Sequence, residues 1–237
     1  MALPVNPTPI YNLVIPSTNK NVKFRPWLVK EEKALLIAQQ SEESEVMTDT
    51  LKSVIESCVL DKIDLSELAT FDMEYIFTQI RGKSVGENVD LILKCKHCDD
   101  PKARIKITFD ITKIDVVIPE GHTKKIHLFD NVGVVMKYPT IDSIRRLDIL
   151  QSNNIDAIFN IVTTCIDYIY DSEEIFYASE STQEELNNFI CGLTSEQFIK
   201  LEKFFDNMPQ MKKELDYKCP ICGADNHIIL EGMTSFF

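Results

Sequence analysis

Leu93-Lys94-Cys95-Lys96-His97-Cys98 and, with 120 residues lying between Cys98 and Cys219, Cys219-Pro220-Ile221-Cys222-Gly223 decide how this 237-residue chain is read. Each C-x-x-C sets two thiols on a tight turn, the geometry in which successive sulfurs converge on one tetrahedral cation. Two such turns supply four candidate ligands, Cys95, Cys98, Cys219 and Cys222. Four thiolates on Zn2+ make a closed, structural site with no open position for water or substrate. Gly223 favours this reading, because free access to positive φ lets backbone amides turn toward the sulfurs. Asp99 holds the matching place after the first pair and tolerates that conformation better than most residues. His97, inside the first turn, reads as a solvated turn residue, since four thiols already complete the set. The competing reading is a thioredoxin-like dithiol, which calls for one C-x-x-C opening a helix beside a parallel sheet. Here both pairs follow strand-like stretches and neither opens a helical pattern.

Outward from the cysteines the pattern alternates. Val89, Leu91 and Leu93 precede the first pair, and Ile105, Ile107 and Phe109 follow it, facing the same core or an opposite one. Leu215 and Tyr217 precede the second pair and a strand resumes over 227–230, so both pairs are expected at hairpin tips. Further strands are expected over 125–128 and 132–138. Between these stretches the period turns helical. One helix from Lys30 carries a stripe of Ala34, Leu35, Ile37 and Ala38, a second follows Ser44, and a third spans about 71–81. Helical stretches resume at Thr140, over 155–170 and over 182–207. Thr194-Ser195-Glu196-Gln197 reads as a capping box, and Pro209 as a stop. Pro4, Pro7, Pro9, Pro16 and Pro26 exclude a continuous helix from the first 27 residues, where two short strands are expected around Leu13 and Val22.

The expected fold class is therefore α+β, helical layers with antiparallel hairpins that form a split zinc-ribbon-like unit. It divides into an extended proline-rich arm (1–28), an N-terminal helical unit (29–84), a hairpin and zinc-ribbon unit (85–139 with 210–237), and an acidic helical insertion (140–209). The metal would then join distant segments. Binding worth roughly 10 to 16 kcal/mol in zinc-finger peptides matches the ~5 to 15 kcal/mol net stability of a typical domain.

Composition narrows function. Hydrophobic residues at 44%, charged residues at 26% and a mean hydropathy of -0.09 describe an ordinary soluble globular chain. With seven glycines there is no G-x-G-x-x-G, G-x-x-x-x-G-K-[ST] or G-x-S-x-G. A net charge of -12 opposes a broad nucleic-acid footprint and favours a protein partner. No apolar run reaches the ~20 residues that span a bilayer, and the start MALPVNPTPIYNLVIP lacks the basic and apolar regions of a secretory signal. In the reducing compartment this implies, seven cysteines read as metal ligands plus buried thiols, with Cys58, Cys165 and Cys191 on apolar helical stripes. His122, His127 and His227 are scattered and suggest no triad.

Charge and aromatic placement leave alternatives open. From Asp167 to Asp216 there are 12 acids against four lysines, read as a solvated face or as steering toward a basic protein surface. Residues 102–146 reverse this with nine bases against five acids, but without the interleaved aromatics of a nucleic-acid platform. Phe24, Arg25 and Trp27 close the arm and are candidate partner-binding residues; the alternative for Trp27 is to pin the arm to its own core.

Three stretches carry a family resemblance: Tyr11 to Thr18 (Tyr-Asn-Leu-Val-Ile-Pro-Ser-Thr), Lys23 to Lys33 (Lys-Phe-Arg-Pro-Trp-Leu-Val-Lys-Glu-Glu-Lys) and Tyr75 to Arg81 (Tyr-Ile-Phe-Thr-Gln-Ile-Arg). The chain resembles the T4-type bacteriophage baseplate family, myophage proteins of the baseplate hub or its assembly, most firmly over 10–100. The two C-x-x-C pairs and the overall length agree with it. The resemblance implies no catalytic residues. It implies a phage protein acting in the host cytoplasm during tail assembly, or retained in the virion baseplate, and binding other hub and tail proteins. The rivals are a nucleic-acid-binding zinc ribbon and an enzyme, either a C-x-x-C thiol oxidoreductase or a hydrolase.

Overall fold

The proline-rich start folds back on itself. In the computed structural model, which describes residues 7–41, 43–98, 100–146 and 155–232, β1 (Tyr11–Val14) and β2 (Asn21–Phe24) pair antiparallel, Leu13 opposite Val22. Asn19 takes a φ of 55° in the turn, a conformation its short polar side chain tolerates. The buried Asp72 carboxylate fixes that turn, accepting from the Ser17 amide at 2.9 Å and the Ser17 hydroxyl at 2.5 Å. Beyond β2, the Arg25 amide donates to the Cys58 carbonyl at 2.9 Å, and the Leu60 amide to Lys23 at 2.8 Å.

Helices α1 (Val29–Ser41), α2 (Ser44–Cys58) and α3 (Thr70–Val85) follow. Only part of the apolar stripe expected on α1 faces inward: Ala38 is buried with Glu31 and Leu35 is half-buried, whereas Ala34 and Ile37 are exposed. The cause is Glu31, whose carboxylate accepts from Arg25 at 2.9 Å and from the Leu28 amide at 2.8 Å. That inward anchor rotates the neighbouring apolar positions outward. Phe71, Met73, Ile76, Phe77 and Ile80 are buried on α3, along with Thr78 and Gln79. β3 (Asn88–Lys94) pairs antiparallel with β4 (Arg104–Asp110), Leu91 opposite Ile107, so both apolar rows face one core. A short 3-10 turn (Ile111–Lys113) leads to β5 (Val116–Val117).

The chain divides into two compact units, one of Met1–Leu65, Phe71–Val117 and Gln210–Phe237, the other of Ser66–Thr70 and Ile118–Pro209. The second unit holds β6 (Lys125–Phe129), β7 (Val132–Met136), α4 (Ile141–Arg146), α5 (Ile155–Thr164), β8 (Ile166–Tyr170), β9 (Ile175–Tyr177), α6 (Gln183–Cys191) and α7 (Ser195–Asp206). Its sheet runs β6-β7-β8-β9, antiparallel throughout. Val134, Met136, Val162, Ile166, Ile190 and Leu201 lie in its core. Two expectations are corrected here. The helix expected over 155–170 ends at Thr164, and 166–170 is a strand. A register shift between Val135 and Met136 turns both Ile166 and Ile169 inward, and that three-residue spacing imitates a helix. The stretch 140–209 is consequently only partly helical, and β7, grouped from sequence with the cysteine hairpins, pairs with β8. The helical stretch over 182–207 is two helices, each opened by a capping box, Thr182 with Glu185 and Thr194 with Gln197.

The first unit closes with β10 (Gln210–Lys218) and β11 (Asp225–Glu231), in a sheet ordered β11-β10-β5. Met211, Leu215 and Leu230 join Val89, Ile111 and Ile114 in one core cluster. The chain is thus α+β with antiparallel sheets. Among the described residues no helix is long and apolar enough to cross a membrane.

Candidate metal centre

Each cysteine pair occupies the loop of a hairpin. In the β3–β4 loop the Cys95 amide donates to the Ala103 carbonyl at 3.0 Å; in the β10–β11 loop the Cys219 amide donates to Ala224 at 2.9 Å and the Gly223 amide to Cys219 at 3.0 Å. Gly223 has φ 73°, the left-handed conformation expected of it. Asp99 lies outside the described residues.

The two loops bring all four sulfurs together. The Sγ atoms of Cys95, Cys98, Cys219 and Cys222 lie within 4.8 Å of one another. Cys95 and Cys222 are 3.7 Å apart, and Cys98 and Cys219 3.8 Å. A tetrahedral zinc ion with bonds of ~2.3 Å requires sulfur–sulfur edges of about 3.8 Å, so these two edges match and the remaining ones close by small movements. A disulfide would need ~2.05 Å. The donor set and its spacing therefore fit a four-coordinate metal ion.

The surroundings favour thiolates unevenly. Cys95 Sγ accepts from the His97 amide at 3.2 Å and from Asn226 Nδ2 at 3.7 Å. The His97 amide in particular pulls the Cys95 thiol down to about 6. Cys219 Sγ accepts from the Cys222 amide at 3.5 Å and the Ile221 amide at 3.4 Å, and it too is lowered, first by the Cys222 amide. Cys98 is pushed up to about 12, first by desolvation and then by the neighbouring Cys222 thiol. The Ala224 amide lowers Cys222, but desolvation and its neighbouring thiols outweigh it and raise that group as well, so two acidic thiols stand beside two reluctant ones in a cluster that would shed protons as a cation entered.

Three residues that sequence reasoning did not single out join the hairpins. Asn226, buried, accepts from the Lys96 amide at 3.0 Å through Oδ1 while its Nδ2 points at Cys95 and at the Ala224 carbonyl. Lys96 Nζ donates to the His227 carbonyl at 2.9 Å, and the Tyr217 hydroxyl to the Lys94 carbonyl at 2.6 Å. Such outer partners fix ligand orientation and offset thiolate charge. No local spacing marks them; they are found only once the hairpins are paired.

The other candidates fall elsewhere. His97 is exposed. His122, His127 and His227 bond separately to the Tyr138 hydroxyl, the Asp130 carbonyl and Asp216. Cys58 and Cys165 are buried, as expected, and burial pushes their thiols up to about 11 and about 12. Cys191 is exposed on α6, against expectation, because Leu186 and Ile190 form the buried face of that helix. Phe24 is 1% exposed, the Arg25 guanidinium pairs with Glu31 at 2.9 Å, and the Trp27 ring lies 5.7 Å from Phe77 with its amide bonded to Ser84. All three are committed to contacts within the chain. The basic stretch 102–146 is divided between the two units.

Comparisons with curated proteins and with solved structures each give no significant match. The family model for the T4 bacteriophage base plate protein, in contrast, matches residues 8–237, the two cysteine hairpins included, and the chain belongs to that family.

Proposed function

We propose that this chain is a non-enzymatic component or assembly factor of a phage tail baseplate hub, built to bind other baseplate proteins and fixed internally by one structural zinc ion. The observation that carries the reading is the meeting of four sulfurs from two hairpins at zinc spacing. Four protein ligands fill a tetrahedral ion, so such a metal stiffens a surface instead of activating water. Family membership supports a structural role in the tail baseplate. The protein would act in the host cytoplasm while tails assemble. The test is affinity capture of the chain from infected cells together with mass spectrometry of purified virions. Enrichment of baseplate hub proteins is expected in the capture; detection in virions then marks a component, and absence marks an assembly factor. Capture that enriches no tail protein over a tag-only control overturns the reading.

A further inference from the structure

The second unit carries a groove of about 450 Å3 between β9 and α6. Its floor is apolar: Phe129, Val132, Ile169, Phe176, Leu186 and Phe189. Its rim is acidic, with Asp171, Glu180 and Glu185 exposed around that floor. Beside it β9 forms, among the described residues, the edge of the sheet, paired with β8 on one side. All three of its residues, Ile175, Phe176 and Tyr177, are large, apolar and about half exposed. Edge strands in soluble proteins are ordinarily guarded by lysine, proline or a bulge; this one is bracketed by Asp171, Glu173, Glu174 and Glu180. From Leu147 to Ile199 the chain contains no lysine or arginine at all, so this acidity is not neutralised from within its own segment. Lys125, with its ammonium 4.7 Å from the Tyr170 ring, is a base at the groove's side.

We propose that this groove binds an extended, basic segment of a partner protein, which adds as a strand to β9. Strand addition satisfies the edge backbone of β9 by main-chain hydrogen bonds, while alternate side chains of the incoming segment enter the groove. An apolar side chain fills the floor over Phe176 and Leu186, and flanking lysines or arginines meet Asp171, Glu180 and Glu185. A second copy of this chain is disfavoured as the occupant, since the same acidic face and a net charge of -12 repel it.

The proposal rests on the reading of this chain as a binding component, but its test needs neither baseplate capture nor zinc chemistry. Fluorescein-labelled Lys-Val-Lys-Phe-Lys-Val-Lys is titrated into the full-length protein and followed by anisotropy at ~20 mM and ~300 mM salt, where screening lengths differ several-fold. Saturable binding is expected, weakened about tenfold by the higher salt, as charge-steered contacts are. Phe176→Lys and Glu180→Lys should each weaken it about tenfold or more, and Glu56→Lys, in the first unit, should leave it unchanged. Unchanged melting temperatures establish that the variants fold. An N-methylated peptide, unable to pair as a strand, should bind weakly. Absence of saturable binding, equal binding of the glutamate analogue of the peptide, insensitivity to Phe176→Lys, or burial of the groove by self-association would each overturn the proposal.

Discussion

Removing the proposed zinc ion should loosen both cysteine hairpins at once. A ligand that binds only the folded state stabilises it by about 4 kcal/mol when its free concentration is ~1,000 times its dissociation constant. The first unit comprises about 140 residues, and at ~2.1 cal/mol/K per residue its unfolding entropy is roughly 0.3 kcal/mol/K. Dividing one by the other, chelation should lower the melting temperature of that unit by ~14 °C. Cys219→Ser should act similarly in the presence of zinc, because the Cys219 sulfur, 3.8 Å from Cys98, is one of four corners and its loop amides are already aimed at it. Cys191→Ser, an exposed thiol on α6, serves as the control and should change nothing. Metal analysis reads the stoichiometry, about one zinc per chain in the parent and little in Cys219→Ser. Hydrogen exchange reads the locality: the Cys95, Cys219 and Gly223 amides should lose protection together, while the β7–β8 ladder keeps its own. Full metal content in Cys219→Ser, or a metal-free parent that melts where the loaded one does, would refute the reasoning.

Two further perturbations test the start of α1 in the first unit and the sheet of the second. Glu31→Ala should cost about 3 kcal/mol, since it leaves Arg25, 13% exposed, without its buried partner. Burial raises the Glu31 carboxyl, but the Arg25 hydrogen bond and the Leu28 amide outweigh it and leave the group below its ordinary value. Its contribution is therefore fully present above the unfolded carboxyl value near ~4.3 and fades as pH falls through the lower folded value; urea midpoints of parent and Glu31→Gln should converge in that acid range and differ at pH 7. Gly133→Ala should cost roughly 2 kcal/mol, because a Cβ there would meet the Tyr170 ring and lie 2.7 Å from the Ile126 carbonyl oxygen. Adding Tyr170→Ala should restore only part of that loss, since the backbone oxygen remains; complete rescue, or no loss in the single variant, would show the close approach to be unimportant.

The parts legible in the sequence were those whose signal is local. A C-x-x-C after an alternating run needs no distant information, and β3, β4, β10 and β11 lie where alternation put them. The capping box at Thr194 is likewise four adjacent residues. What failed depended on partners far along the chain. Ile166 and Ile169 look helical until a bulge against Val135 and Met136 is known. Glu31 looks solvated until Arg25 is placed beside it, and once it turns inward Ala34 and Ile37 of the apolar stripe on α1 face outward.

The same distinction bears on how the four sulfurs find one another across so long a stretch of chain. Besides the thiols, other groups join the two hairpins: the Tyr217 hydroxyl on the Lys94 carbonyl, Lys96 on the His227 carbonyl, and Asn226 on the Lys96 amide. Beneath them Val89, Leu215 and Leu230 share one core. None of these contacts requires an ion, so the hairpins carry their own reason to meet, and the thiols arrive within tetrahedral reach as a consequence. A cation would then act on a nearly assembled site, and its binding energy would go into holding the two loops together instead of into building either one. Asn226 is the residue on which that division turns, since its amide group touches the Cys95 sulfur and the opposite loop's backbone at once.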